Sequence, residues 1–189
     1  MADLNVVDSL DVLVQQGRRF KTLYADPPWM YGNQTTRGAT SKHYKKWAMT
    51  IDEICELPVR ELVEENAHLH LWTTNAFLFE AKRVMDAWGF EYKSVLLWVK
   101  PQMGIGNYWR VCHEFLLFGN RGKMPMMDAH KTLRSWHEID RMQHSVKPHY
   151  FRNLVEQVSP EPRLELFARQ ACYGWVAFGN EIVGADMWG

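Results

Sequence analysis

The pattern of apolar and polar positions along this chain predicts strands that alternate with helices. Buried strands are predicted by short apolar runs at residues 21–25, 67–73, 90–99, 111–119, 163–168 and 175–179. Helical spacing and end signals predict helices from Asp8 to Gly17, over about 51–65, from Thr74 or Asn75 to about Trp88, and over 149–158.

Strands that alternate with helices indicate an α/β fold, with a parallel or mostly parallel sheet and helices on both faces. The 189 residues suit a single domain, 1–189. Residues 30–47 have no apolar periodicity and predict a long loop, and residues from about 120 to 146 are irregular. In such sheets, ligands bind at the carboxyl ends of the strands.

Composition narrows the class of protein. With 47% apolar residues the chain can bury a core, which excludes disorder. We expect neither a signal peptide nor a membrane span, because no apolar run approaches about 18 residues. Three cysteines without a CxxC pair are typical of buried thiols in a reducing cytoplasm, and the eight histidines lack metal-ligand spacing, so no metal is assigned.

The net charge is zero, but the charges are unevenly distributed. Residues 30–47 carry four basic side chains and no acid, and residues 100–147 carry eight basic side chains against four acids. Such blocks give one face a positive field that attracts phosphates. Ordinary solvated loops are the alternative explanation.

The strongest chemical motif is Asp26-Pro27-Pro28-Trp29, directly after the predicted strand 21–25. The two prolines end the strand and hold a rigid backbone that offers carbonyl groups without N–H groups. Asp26 adds a carboxylate, and Trp29 adds an aromatic face on which a base can stack. Acceptors aimed at the hydrogens of a ring amino group free its lone pair and stabilise the charge that develops on transfer. A rigid turn with an incidental aspartate is the alternative.

A second candidate site lies within residues 163–181. Glu165 is the single acid of an apolar strand, and a buried carboxylate is costly unless it has a partner. Vicinal ribose hydroxyls are one suitable partner, as in dinucleotide folds. A salt bridge to Arg152 or Arg163 is the alternative. The chain contains no GxGxxG motif, which disfavours a nicotinamide cofactor.

A third motif, Lys147-Pro148, directly precedes the predicted helix 149–158. A lysine at this junction can reach the carboxylate of an amino acid, although a surface lysine before a helix is the alternative. Trp109 and Arg110 are candidates for stacking on the bases that flank a target or for contacting phosphate. Packing and a solvated charge would explain these two residues equally well.

With these motifs the chain resembles, from about residue 21 to 182, the MT-A-seventy family of S-adenosylmethionine-dependent adenine N6-methyltransferases. That family is named after the catalytic subunit of the messenger-RNA adenosine methyltransferase. The resemblance implies a Rossmann-like, permuted methyltransferase fold, with the catalytic tetrapeptide first and the cofactor strand last. The two ends then meet at one edge of the sheet. The loop between Arg169 and Trp175 departs from the messenger-RNA enzyme, being shorter and carrying Ala171 where that enzyme has a histidine.

The resemblance also implies roles for individual residues. It makes Asp26, Pro27, Pro28 and Trp29 the catalytic tetrapeptide, and it places Tyr44 and Glu114 near the acceptor base. S-adenosyl-L-methionine is the implied cofactor, and the residues expected to bind it are Asp26, Lys147, Glu165, Arg169, Asn180 and Glu181.

The predicted function is therefore N6-adenine methylation of a nucleic acid, with DNA of bacterial or phage type as the expected substrate and RNA as the alternative. A non-catalytic nucleic-acid-binding subunit with the same fold is a rival from another class. A small-molecule N-methyltransferase would leave the basic loops unexplained. The sequence leaves open a homodimer or a partner subunit, and the target sequence.

Overall fold

A computed structural model of the chain describes residues 5–30, 48–104, 108–140, 147–179 and 182. The strands in this part of the chain are β1 Asn5–Val7, β2 Phe20–Ala25, β3 Val63–Thr73, β4 Glu91–Val99, β5 His113–Arg121, β6 Trp136–Glu138, β7 Arg163–Leu166 and β8 Trp175–Phe178. The α-helices are α1 Leu10–Gln15, α2 Ile51–Glu56, α3 Leu78–Trp88 and α4 His149–Val158. Short 3-10 helices lie at Pro58–Glu61, Asn75–Phe77 and Asp128–Thr132.

The eight strands form one sheet in the order β1-β8-β7-β2-β3-β5-β4-β6. Five of the seven neighbouring pairs are parallel, and the two pairs that involve β5 are antiparallel. The fold is thus α/β with a mostly parallel sheet, as predicted. Because β5 runs backwards, its first residues lie at the sheet edge where β2, β3, β4 and β7 end.

Helices cover both faces of this sheet. One core contains side chains of α1, α2 and α3, among them Leu13, Ile54 and Trp88, packed against residues of β2, β3 and β7. The other core joins α4 to the opposite face through Phe151, Leu154 and Val155. Each fully buried side chain of this size contributes about 1.5–3 kcal/mol by leaving water.

The local signals set several helix ends correctly. Helix α4 occupies the predicted residues 149–158. Helix α1 is capped by Ser9, whose hydroxyl accepts from the Asp11 N–H, and the chain leaves it at Gly17 with φ +64°. That left-handed conformation costs glycine nothing.

The prediction of one helix over 51–65 is wrong. Helix α2 ends at Glu56, a 3-10 turn follows from Pro58, and β3 begins at Val63. Pro58 has no N–H and disfavours helical geometry at Leu57, so the apolar spacing beyond it belongs to the turn and to the strand. The sequence also gave no signal for β1 and β6, which are three-residue strands at the two edges of the sheet.

A buried polar network fixes β3 against the end of α4. The Ser159 hydroxyl lies 2.9 Å from His68 Nδ1 and 2.8 Å from His70 Nε2, and His68 Nε2 lies 2.8 Å from the Met124 carbonyl oxygen. Burial, with a smaller contribution from His68, lowers the pKa of His70 to about 3. Both rings are therefore neutral structural groups at physiological pH.

The described residues include three cysteines. Cys55, Cys112 and Cys172 carry free thiols. Within the described ranges, no group of three or more histidine, cysteine, aspartate or glutamate side chains is arranged to hold a metal ion. No helix in the same ranges is both long and apolar enough to cross a bilayer.

Candidate active site

Charged side chains from four separate segments meet at one edge of the sheet. Asp26 follows β2, Lys100 follows β4, Glu114 is the second residue of β5, and Lys147 lies two residues before α4. The parallel course of β2 and β4, together with the reversed direction of β5, brings these positions to the same edge. This is the edge where ligands bind in open α/β sheets.

Lys147 connects the two carboxylates of this cluster. Its Nζ lies 2.8 Å from each carboxylate oxygen of Asp26 and 3.2 Å from Oε2 of Glu114. Glu114 also forms an ion pair with Lys100 through Oε1. The four side chains are only 12–21% exposed, so water screens these charges weakly.

Neighbouring charges keep Lys147 and Glu114 ionised. Burial acts to lower the pKa of Lys147, but the nearby charges of Asp26 and Glu114 outweigh it and raise that pKa above its ordinary value. Burial likewise acts to raise the pKa of Glu114, and Lys147 and Lys100 reverse the effect and lower it. The alternating charges thus stabilise the ionised forms of Glu114 and Lys147.

Two tryptophan rings form the floor beneath the ammonium groups. The Lys147 Nζ lies 5.2 Å from the ring centroid of Trp72, and the Lys100 Nζ lies 4.2 Å from that of Trp98. The two indoles meet edge to face, with their centroids 6.1 Å apart. The ring faces attract the cations, and the two buried rings separate the cluster from the interior of the sheet's core.

The Asp-Pro-Pro-Trp turn is rigid, but its carbonyl groups are not all free. The Pro27 carbonyl accepts from the Trp29 N–H at 2.9 Å, and the Pro28 carbonyl accepts from the Met49 N–H at 2.9 Å. Each carbonyl oxygen has two lone pairs, so one remains on each proline for a further donor. The turn therefore offers fewer acceptors than the sequence alone suggested.

Trp29 does not present the open aromatic face that the sequence suggested. Its ring is 8% exposed and stacks on Phe77 with centroids 5.5 Å apart and an interplanar angle of 17°. Its indole N–H donates to the Trp72 carbonyl at 3.2 Å. In this conformation Trp29 anchors the turn in the core, because burying the ring there removes more apolar surface from water than leaving it at the edge.

A small open cleft lies beside the charged cluster. Its walls include all four of the described residues predicted to bind the cofactor, Asp26, Lys147, Glu165 and Arg169.

Glu165 lies deep in this cleft, next to Tyr24 in the register of β7 and β2. Arg152 Nη2 donates to both of its oxygens, at 2.9 and 2.7 Å. The salt bridge considered as the alternative for Glu165 thus exists, with Arg152; Arg163 pairs instead with Glu161 at 2.8 Å. Burial raises the pKa of Glu165 above its ordinary value, although the Arg152 charge opposes this effect.

The backbone at the mouth of the cleft is unusually constrained. Phe167, which lines the cleft, has φ +63°, a conformation that costs a bulky residue free energy. At the end of β8, a Cβ added to Gly179 would come within 2.0 Å of the Ala168 carbonyl oxygen. Only glycine allows this close approach. Strain of this kind concentrates at functional sites.

Two other described residues predicted for the site lie outside this cluster. Trp109 and Arg110 are both exposed, and Trp109 is 89% exposed, on the segment between β4 and β5. Tyr44, Asn180 and Glu181 lie outside the described residues. The sequence analysis missed Lys100. Its position directly after a predicted strand, like that of Asp26, was the available signal.

Lys100→Met is expected to lower the rate of the reaction at this site about tenfold, the effect of some 1.4 kcal/mol. Without Lys100, Glu114 interacts more strongly with Lys147. The interaction of the Lys147 ammonium with Asp26 is then weaker. The measurement is the turnover of the purified variant. Lys93→Met is the matched control, because Lys93 pairs with Glu91 at the opposite end of β4. Equal turnover in both variants would contradict a role for Lys100.

The fold and the site together define a class: an α/β sheet with an Asp-Pro-Pro-Trp turn at the carboxyl end of a strand, beside an open cleft. Comparison with known families agrees with that class. The model of the MT-A70 family matches residues 20–181. The chain therefore belongs to the MT-A70 family, the MT-A-seventy family that its motifs resemble.

Individual relatives extend over most of the chain. It is 29% identical to the type II methyltransferase M.MunI of Mycoplasma sp, over 93% of this chain and 84% of the relative. It is 28% identical to the N6-methyladenosine RNA methyltransferase MTA1 of Pyricularia oryzae, over 94% of this chain and 51% of the relative. With the N(6)-adenosine-methyltransferase catalytic subunit METTL3 of Homo sapiens it shares 24% identity, over 89% of this chain and 29% of that protein.

Proposed function

We propose that this protein is a cytoplasmic, S-adenosylmethionine-dependent methyltransferase that acts on the N6 amino group of adenine in DNA. The observation that carries the proposal is the Asp26 carboxylate at the sheet edge, 2.8 Å from Lys147 and beside the open cleft. Membership of the MT-A70 family supports the same chemistry.

The residues of the cleft fit this cofactor. A cationic Lys147 suits the carboxylate of the methionine part, and an ionised Glu165 suits two ribose hydroxyls. A further polar atom, Arg152 Nε, is buried without a hydrogen-bond partner among the described residues, as expected beside a polar ligand. When bound, S-adenosylmethionine supplies a methyl group that its sulfonium has already activated.

Asp26 is the candidate catalytic residue. Its carboxylate has about four lone-pair sites, of which Lys147 uses two, so it can also accept hydrogens of the adenine amino group. These hydrogen bonds strengthen as positive charge develops on the nitrogen, so they stabilise the transition state more than the ground state. The remaining lone pairs of the Pro27 and Pro28 carbonyls are further acceptors.

DNA is proposed as the substrate because the chain covers a larger share of the type II methyltransferase than of the other two relatives. It spans 84% of the type II methyltransferase M.MunI, but 51% of the fungal RNA methyltransferase and 29% of the human adenosine methyltransferase subunit. The chain thus matches the type II methyltransferase along most of its length, and the other two relatives along about half of their length or less.

The test is transfer of a tritiated methyl group from S-adenosylmethionine to single- and double-stranded DNA and RNA, followed by nucleoside analysis. The expected product is N6-methyldeoxyadenosine. Label in N6-methyladenosine alone would replace DNA with RNA. A protein that binds nucleic acid but neither binds the cofactor nor transfers label would be a non-catalytic binding subunit, and the proposal would be wrong.

Trp109 is proposed to stack on a base that flanks the target adenine. Trp109→Ala is expected to raise the KM for nucleic acid by an amount equivalent to about 1–3 kcal/mol, the usual effect of losing one base–aromatic stack. The kcat and the KM for S-adenosylmethionine should change little. Steady-state kinetics with each substrate varied in turn measure these parameters.

Tyr173→Ala is the matched control for this variant. Tyr173 is a comparably exposed aromatic residue, at 77%, but it lies just before β8 beside Asn5 and Arg18, at the opposite edge of the sheet. It should leave the KM for nucleic acid unchanged. An equal effect of the two variants would exclude a specific stacking role for Trp109.

A further inference from the structure

Arg152 is a buried cation whose side chain is hydrogen-bonded to two residues that line the cleft, Glu165 and His149. Its side chain is 9% exposed, and its Nη2 straddles the two oxygens of Glu165 at 2.9 and 2.7 Å. Its Nη1 lies 3.0 Å from Nδ1 of His149, the first residue of α4. Because an arginine has only donors, the His149 Nδ1 accepts this hydrogen bond. The guanidinium is thus fixed from two sides.

The geometry of this ion pair leaves the carboxylate available. A single nitrogen of Arg152 serves both oxygens of Glu165, so each oxygen has a lone pair left for another donor. Glu165 and Arg152 both line the cleft. An ion pair that served only the fold would need no open space beside its carboxylate.

We infer that Arg152 is a positioning residue for the cofactor, which holds the Glu165 carboxylate ionised and in place to accept the two hydroxyl groups of the ribose. The inference rests on the proposed function, since it assumes that S-adenosylmethionine occupies the cleft. It assigns to α4 a part in cofactor binding that neither the motifs nor the family match gives it.

The charges around Glu165 explain why it needs this cation. Tyr24 and Asp26 of β2 and its end face it, as do Arg152 and His149 of α4, and Lys147 and Arg169 line the same cleft. Burial raises the pKa of Tyr24 far above its usual range, so the phenol is neutral. Burial and the Asp26 charge both favour the protonated form of Glu165, and Arg152 is the charge that opposes them.

The affinity for the cofactor should depend on pH through the ionisation of Glu165. A carboxyl group with a raised pKa is ionised above that pKa and loses its charge as the pH falls through it. Removal of Arg152 raises the pKa of Glu165 further. If the ribose needs the ionised form, cofactor affinity in an Arg152 variant must decline at a higher pH than in the unmodified protein.

The experiment is titration calorimetry of S-adenosylmethionine with the unmodified protein and with Arg152→Leu, between about pH 6 and about pH 8. We expect the Kd of the variant to be at least about tenfold higher at neutral pH. We also expect it to rise by up to about tenfold for each pH unit below the pKa of Glu165. Arg152→Lys, which retains the charge, should recover part of the affinity. The KM for nucleic acid should not change.

A matched control removes a different arginine of similar burial. Arg163, whose side chain is 12% exposed, lies at the other end of β7 and pairs with Glu161 outside the cleft. Arg163→Leu should leave both the Kd for S-adenosylmethionine and its pH profile as in the unmodified protein. An equal loss of affinity in the two leucine variants would attribute the effect to general destabilisation and overturn the inference.

A double-mutant cycle covers the case in which Arg152→Leu does not fold. The double variant Arg152→Leu/Glu165→Gln leaves no buried unpaired charge. In Glu165→Gln, Arg152 keeps its charge and loses the carboxylate, but the amide oxygen of the glutamine remains as an acceptor for its Nη2. If Arg152 acts through Glu165, its removal from the glutamine background should change the Kd less than threefold, or about 0.65 kcal/mol, with no pH dependence. A full additive loss in the double variant would overturn the inference. Failure of the unmodified protein to bind S-adenosylmethionine would instead refute the proposed function.

Discussion

Asp26→Ala is expected to lower methyl transfer by at least about 10²–10³-fold, the loss seen when one group that stabilises transition-state charge is removed. Its carboxylate is the acceptor proposed for the adenine amino hydrogens, and alanine supplies none. The affinity for S-adenosylmethionine should change much less, because Lys147 stays paired with Glu114 and remains charged. Single-turnover label transfer and cofactor titration on the same preparation separate the two effects.

Two further variants make this result specific. Asp26→Asn retains one acceptor oxygen but lacks the negative charge, so it should fall between the alanine variant and the unmodified protein. Asp128→Ala removes an exposed aspartate whose only described ion pair is with Lys131, and it should retain full activity. Turnover retained in Asp26→Ala would count against the assignment of the catalytic carboxylate.

Lys147→Met should have the largest combined effect on stability and binding. Lys147 is the cation that Asp26 and Glu114 share, and methionine of similar length leaves both carboxylates without it. Breaking a buried ion pair by removing one partner typically costs about 3–5 kcal/mol. The affinity for S-adenosylmethionine should fall as well, since the proposed partner of its carboxylate is lost. Denaturant unfolding and calorimetry measure the two quantities.

The destabilisation by Lys147→Met should depend on pH with a defined sign. In the unmodified protein the pKa of Glu114 is lowered despite its burial, because Lys147 and Lys100 oppose the burial effect. Its charge therefore stabilises the fold above the ordinary pKa, and this stabilisation is lost as the pH falls through the lowered value. Without Lys147 the pKa of Glu114 rises. The difference in free energy of unfolding between the two proteins should thus be larger at pH 7 than at about pH 4.

Lys131→Met serves as the control for this pH series. Lys131 pairs with Asp128 on the surface, with 64% of its side chain exposed. Surface pairs contribute about 0–1 kcal/mol, so this variant should follow the unmodified protein at every pH. A pH-independent loss in Lys147→Met would mean that its ammonium acts through packing alone, and the charged cluster would lose its proposed role.

The sequence predicted which residues meet at the sheet edge more accurately than it predicted the bounds of the helices and strands. Apolar periodicity predicted all the long strands, and the Asp-Pro-Pro-Trp and Lys-Pro motifs predicted Asp26 and Lys147. The roles of all the site residues in catalysis and in cofactor or substrate binding remain predictions. The helix over 51–65 was wrong because apolar spacing alone does not distinguish a helix from a turn followed by a strand, although Pro58 marked the break.

The sequence did not determine which side chains contact the residues of the site. Glu165 was expected to bind a ribose, with a salt bridge to Arg152 or Arg163 as the alternative, and only the packing of α4 on β7 showed that Arg152 is its ion-pair partner. Trp29 was predicted to face a base, yet its ring lies on Phe77 in the core. Sequence spacing does not report which side of a turn faces the protein interior, because that depends on elements distant in the chain.

The sequence by itself therefore determined the α/β class, the family and the residue types at the sheet edge, since periodicity and short motifs are local properties. Only the tertiary structure showed that Lys100, Glu114, Lys147 and Asp26 form one charged cluster. Its members lie up to 121 residues apart in the chain. They become neighbours because β5 runs antiparallel to β3 and β4, and strand order and direction arise from non-local pairing.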